Sequence, residues 1–339
     1  MVKGQLTESV RILNELLEKV SVIEDIQITD RSEQGFTVVF KERGNGTVNM
    51  SVICLNRAVP SAVKEVIGKP NEGIYRVIMA PYISEASAGI CENFRVGYCD
   101  FSGNCLIQTD LIYISNKGNP NRFPSDNHAK TIFKSSAKTT SLILRTLMKD
   151  VSKRWKIKEL AEEVGCSIGM ASRVKTYLCE QAWAEMTSAG LHITDAEALM
   201  KEWSRSYEIP NSLSCYTLDS IPLFEEKCSK AFQEQGLQLC LSGFSGGVRY
   251  APVVRYTKAH VWVAREELPA FLDMTGCKTV DSGSNVAVYI ADSEEVFADR
   301  RVINQSSVAS PVQVFLDCMQ LKGRGEEMAE AVFSKEIDK

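Results

Sequence analysis

The stretch 138–194 constrains this 339-residue chain most. Thr139–Met148 is an apolar helix with Leu142, Ile143, Leu144 and Leu147. Lys156–Gly165 is a second helix, stopped by its glycine. Cys166 and Ser167 make a tight turn in which Ser167 is the N-cap of a third helix, Ile168–Gln181. Ala171, Val174 and Leu178 fall on one face of that helix and must pack inward. Trp183–Met186 and Leu191–Thr194 flank Thr187-Ser188-Ala189-Gly190 as the arms of a hairpin. Three helices with a glycine-containing turn, then a hairpin, spell a winged helix-turn-helix.

Helical periodicity then selects the face that would meet a ligand. At about 100° per residue, the side opposite Ala171, Val174 and Leu178 holds Gly169, Ser172, Arg173 and Thr176. Gly169 removes bulk at the helix start, and Arg173 can pair bidentately with guanine in a major groove. Ser167 lies at the same helix end, and Lys175 on the flank suits a phosphate. Lys156, Lys158 and Arg145 are further candidates for contact with DNA. The whole chain has 39 Lys and Arg against 43 Asp and Glu, a net charge of −4. Residues 134–185 hold ten cations and six acids, +4, which leaves −8 for the rest. Basic charge is concentrated where phosphates would be met. The hairpin itself has no Lys or Arg and carries Glu185. The alternative use of such a segment is protein docking.

On either side the pattern is α/β, so the fold class is α/β (α+β). The first segment, 1–116, reads helix, three strands, helix, strand, helix, strands. Its strands include Ile26–Thr29, Phe36–Lys41, Val48–Leu55 and Tyr75–Ala80, with a Gly44-Asn45-Gly46 turn. A polar connector, 116–136, leads to the helical segment 134–207. A second connector, 208–216, precedes 217–339, with helices at 222–235, 266–274, 311–320 and 324–336 and strands at 237–241, 259–264, 278–281 and 286–291. No run approaches 18 apolar residues, so no membrane span is expected. Eleven scattered cysteines without a Cys-x-x-Cys read as reduced thiols of a cytoplasmic protein. No metal or cofactor site is expected.

Four stretches make the chain resemble the AbiEi-type antitoxin and transcriptional regulator family of type IV toxin–antitoxin systems. They are Tyr75-Arg-Val-Ile-Met-Ala-Pro-Tyr-Ile-Ser84, Gly97-Tyr-Cys-Asp-Phe-Ser-Gly-Asn104, the winged helix, and a C-terminal pair. That pair is Leu241-Ser-Gly-Phe-Ser-Gly-Gly247 with Pro311-Val-Gln-Val-Phe-Leu-Asp317 and Gly323–Ala331. The resemblance implies operator DNA as a partner, repression of its own operon, and a protein toxin similar to a nucleotidyltransferase. It leaves homo-oligomerisation open.

The outer segments also resemble enzymes. The N-terminal order is similar to a restriction-endonuclease core, whose metal needs an Asp on the second strand and an acid-x-Lys on the third. The third strand, Val48–Leu55, has neither acid nor lysine. Asp100 and Asp110 are the nearby carboxylates, and Asp100 equally suits a turn through Ser102-Gly103-Asn104. The C-terminal segment resembles a nucleotidyltransferase, with Gly243, Ser245 and Gly246 as a candidate ligand or partner turn. Its next strand, His260–Ala264, lacks the paired carboxylates that Mg²⁺ requires. The expectation is therefore no catalytic residue, two degenerate enzyme-like domains, and a DNA-binding regulator. The alternative is a metal-dependent nuclease with a displaced active site.

Overall fold

Two seven-stranded sheets of mixed direction organise the chain. The computed structural model describes residues 3–32, 34–43, 46–70, 73–110, 112–123, 132–133, 138–209 and 211–338. It divides into two units: Met1–Ala129 with Cys179–Ala182, and Lys130–Leu178 with Trp183–Lys339. Gly44 and Asn45 of the expected turn, most of the first connector and His128 lie outside the described residues.

In the first unit, α1 (Lys3–Leu17) precedes β1 (Ile23–Ser32), β2 (Gly35–Glu42) and β3 (Gly46–Cys54). Then come α2 (Pro60–Gly68), β4 (Tyr75–Ala80), α3 (Glu85–Asn93), β5 (Gly97–Asp100), β6 (Cys105–Gln108) and β7 (Tyr113–Asn116). The strands lie side by side in chain order. β3, β4 and β5 run parallel, which requires crossovers, and α2 and α3 supply them. Alternation in β2 turns Phe36, Val38 and Phe40 toward Leu13 and Leu17 of α1. Val63, Val66 and Cys91 of α2 and α3 pack with Ile78, Ala80 and Tyr98. Arg76 is buried because Nη1 donates to the Val66 carbonyl at 2.6 Å, at the end of α2.

The second unit opens with α4 (Lys138–Lys149), α5 (Ile157–Val164), α6 (Ile168–Glu180), β8 (Ala184–Thr187), β9 (Gly190–Ile193) and α7 (Ala196–Ser206). It continues with β10 (Ser212–Tyr216), α8 (Ile221–Gln235), β11 (Leu239–Leu241), α9 (Gly243–Tyr250), β12 (Ala259–Ala264) and α10 (Leu268–Thr275). The last elements are β13 (Lys278–Thr279), β14 (Val286–Ala291), β15 (Arg301–Ile303), β16 (Ser306–Val308), α11 (Pro311–Met319) and α12 (Gly325–Val332). The large sheet has the order β13-β10-β14-β12-β11-β16-β15. In β12, Ala259, Val261 and Val263 join the core with Phe224 of α8 and Phe271 of α10. Period two sends His260 and Trp262 to the opposite face, where α9, α11 and α12 pack together.

Four elements, β10, β15, β16 and α9, differ from the sequence expectation. Ser212–Tyr216 alternates serines and falls within the expected connector 208–216, yet it pairs with β14. Asn304 and Gln305 both take positive φ and turn β15 back on β16 as a two-residue hairpin. Gly243–Tyr250 is a helix despite three glycines, because close packing outweighs poor propensity there. A Cβ on Gly246 would stand 2.8 Å from the Leu241 carbonyl, and one on Gly247 2.6 Å from the Met328 side chain. These glycines let α9 approach its neighbours.

Candidate nucleic-acid interface

Local chemistry builds the junction of α5 and α6. Gly165 adopts φ 71°. The Cys166 N–H donates to Ala161 O at 2.9 Å and the Gly165 N–H to Glu162 O at 3.2 Å, a Schellman stop. Ser167 Oγ accepts from the Met170 N–H at 3.2 Å, the expected N-cap. Leu160, Ala161, Ala171, Val174 and Leu178 are buried. Ser167, Gly169, Arg173 and Thr176 are exposed, while Ser172 and Lys175 are half-buried. Arg173 and Lys175 form no ion pair among the described residues, whereas Lys158 stands 3.7 Å from Glu162. Ile168, 55% exposed, adds an apolar side chain that the sequence reading did not select.

The hairpin has a third partner. Trp155 N donates to Leu191 O at 2.8 Å and Leu191 N to Trp155 O at 2.9 Å. Gly190 takes φ 139° at this contact, and a Cβ there would meet the Trp155 carbonyl at 2.8 Å. The bridge brings cations to a hairpin whose own sequence has none. Lys156 Nζ donates to the Ser188 carbonyl at the hairpin tip at 2.6 Å. Arg154 Nη1 lies 2.9 Å from His192 Nδ1. Arg154 is not among the residues that helical periodicity selects; its signal is the run Lys153-Arg154-Trp155-Lys156, legible only once Trp155 is placed beside β9.

Arg145 corrects the sequence grouping. It is 5% exposed and offers no surface to a phosphate. Its Nε donates to Ser141 Oγ at 3.2 Å and its Nη2 to Gln313 Oε1 at 2.6 Å. Burial lowers its pKa. Gln313 in turn donates to Asp317 Oδ1 at 2.7 Å, as does the Tyr207 hydroxyl at 2.7 Å. Trp262 Nε1 donates to Asp317 Oδ2 at 2.7 Å, and the Ser242 hydroxyl donates to the same oxygen. Asp317 is fully buried, and burial raises its pKa against the opposing pull of these donors. This hub joins α4, α11, β12 and the residue before α9.

The glycine turn is likewise not an open cradle. Gly243, Ser245 and Gly246 are buried within α9, and Ser245 Oγ accepts from the His260 N–H at 3.0 Å. Asp100 is 1% exposed and closes the β5–β6 turn. It accepts from Asn104 N at 2.8 Å, Asn104 Nδ2 at 2.8 Å and Ile83 N at 3.1 Å. Among the described residues no group of three or more His, Cys, Asp or Glu is placed to hold a metal. No helix among them is long and apolar enough to cross a membrane.

Residues 192–338 match the model of a family described as "Transcriptional regulator, AbiEi antitoxin, Type IV TA system". Over that range the chain is similar to AbiEi-type regulators. No curated protein and no solved structure matches. The matched part starts in β9 and includes α7, the second large sheet and the Asp317 hub. The resemblance stretches at 241–247 and 311–331 lie inside it; Tyr75–Ser84, Gly97–Asn104 and α4–α6 lie outside.

Proposed function

We propose that this protein is a DNA-binding transcriptional regulator with an antitoxin role, acting in the cytoplasm. In this reading 138–194 is a winged helix-turn-helix, and α6 enters the major groove of an operator. The observation that carries it is the outer face of α6: Arg173 stands exposed, with no ion pair among the described residues, between Gly169 and Thr176. Lys156 at the hairpin tip, Lys158 and Lys175 supply phosphate contacts. The AbiEi-type match supports regulation of a toxin–antitoxin operon. The C-terminal α/β part is then the module that counters a nucleotidyltransferase-like protein toxin. The N-terminal unit serves as a noncatalytic scaffold, since Asp100 is committed to its turn.

A gel-shift titration on the DNA upstream of the gene tests this. Arg173→Ala should lose about 1–3 kcal/mol of specific binding, and Lys158→Ala should weaken all sequences alike. Undiminished binding by Arg173→Ala, or no binding by the wild type at low salt, would overturn it.

A further inference from the structure

We propose that a cavity beside α4, α7 and β14 binds an uncharged, flat, two-ring lactam. The cavity measures about 340 Å³ and lies wholly within the second unit. Small-molecule sites start at roughly 300 Å³ and are mostly apolar, with a few polar groups that fix orientation. Here Phe133 and Trp203 lie nearly parallel, 6.3 Å apart with an interplanar angle of 23°. Trp262 and Tyr207 add further aromatic wall. Such surfaces favour a planar ring.

Arg145 supplies one recognition group. Its Nε and Nη2 are used, but Nη1 is buried with no hydrogen-bond partner among the described residues. An unmade hydrogen bond of a buried charged donor is costly, and a ligand carbonyl at this wall supplies the acceptor. The lining is acidic on balance. Glu208, Asp292 and Glu295 line the cavity against Lys138 and Arg145, so the wall holds three carboxylates and two cations. Asp292 is held by Arg265 and Asn211. An anionic ligand is therefore disfavoured, whereas a ring N–H can donate to Glu295. Glu295, which accepts from the Ser293 hydroxyl, acts electrostatically on Arg145, so a carbonyl toward Arg145 and the adjacent ring N–H toward Glu295 describe one edge of a lactam.

The site shares Arg145, Tyr207 and Trp262 with the Asp317 hub. Occupancy would thus act on α4, the first of the three helices. Binding itself does not depend on the DNA reading, and its test uses no DNA. Tryptophan fluorescence and thermal shift of the full chain are titrated with hypoxanthine and 4-quinazolinone, with quinoline as a ring lacking the lactam. The lactams should give saturable changes, with quinoline at least about tenfold weaker, equivalent to about 1.4 kcal/mol. Ser206→Phe, at an exposed lining position, should abolish binding while the protein stays folded by circular dichroism. Glu295→Gln should weaken it about tenfold. No saturable response at millimolar lactam, unchanged binding in Ser206→Phe, or equal binding of quinoline would overturn the proposal.

Discussion

Asp100 and Asp317 are both buried carboxylates, one in each large-sheet unit, and they are held in opposite ways. Asp100 takes two of its three hydrogen bonds from Asn104, four residues away, and closes a local turn. Asp317 takes three of its four from residues 55, 75 and 110 positions distant. The first carboxylate shapes a loop; the second unites helices and strands that are otherwise separate in the chain. A buried charge is tolerated in either case because donors replace its lost hydration. Only in the second does its removal disturb several elements at once.

That contrast sets the order of expected effects. Asp317→Ala should cost the most, about 3–5 kcal/mol, because it strands the Ser242, Tyr207, Trp262 and Gln313 donors away from water. Urea denaturation measures it, and a loss no larger than that of Asp100→Ala would break the comparison.

His260 sharpens the same region by pH. Burial, with a smaller effect from Lys258, pushes its imidazole from 6.5 down to about 4. The folded state therefore keeps it neutral while the unfolded chain takes up a proton. Its contribution is complete above about pH 6.5 and disappears as pH falls toward 4, about 3 kcal/mol in all. The raised pKa of Asp317 runs the other way, so the difference between wild type and His260→Phe isolates the histidine. Parallel stability profiles for the two proteins between pH 7 and pH 4 would refute this assignment.

Asp100→Ala should cost about 1–3 kcal/mol, the penalty for leaving a turn's donors unmade. Its effect should stay in the first unit and leave DNA affinity unchanged. Supercoiled plasmid incubated with the wild type and Mg²⁺ or Mn²⁺ should remain intact; nicking that Asp100→Asn abolishes would restore the nuclease alternative. The smallest effect belongs to Lys156→Ala. It should weaken binding evenly across sequences and reduce the salt slope by about 1. A change in sequence preference instead would place Lys156 on the bases.

Two arginines of the helical segment explain how far the sequence could be read. The exposure of Arg173 follows from Ala171, Val174 and Leu178, whose spacing defines the opposite face within one helix. Arg145 sits on an equally periodic helix, yet it points to Gln313, 168 residues away. Periodicity assigns a face to the interior; it does not say which partner waits there. Lys156 and Arg154 reach the hairpin by the same kind of distant pairing, through Trp155 and Leu191.

Features that depend only on neighbours along the chain were legible without the fold. The Gly165 stop, the Ser167 cap, the Asp100 turn and the alternation of β2 and β12 all rest on local backbone geometry and periods of 3.6 or 2. Tertiary structure alone decided the helix at Gly243–Tyr250, the burial of Arg145 and the Asp317 hub. Intrinsic propensity opposes the first, and ordinary solvation of charge opposes the other two. Each persists because close packing or hydrogen bonds from distant segments outweigh the local preference, and those segments meet only in the folded chain.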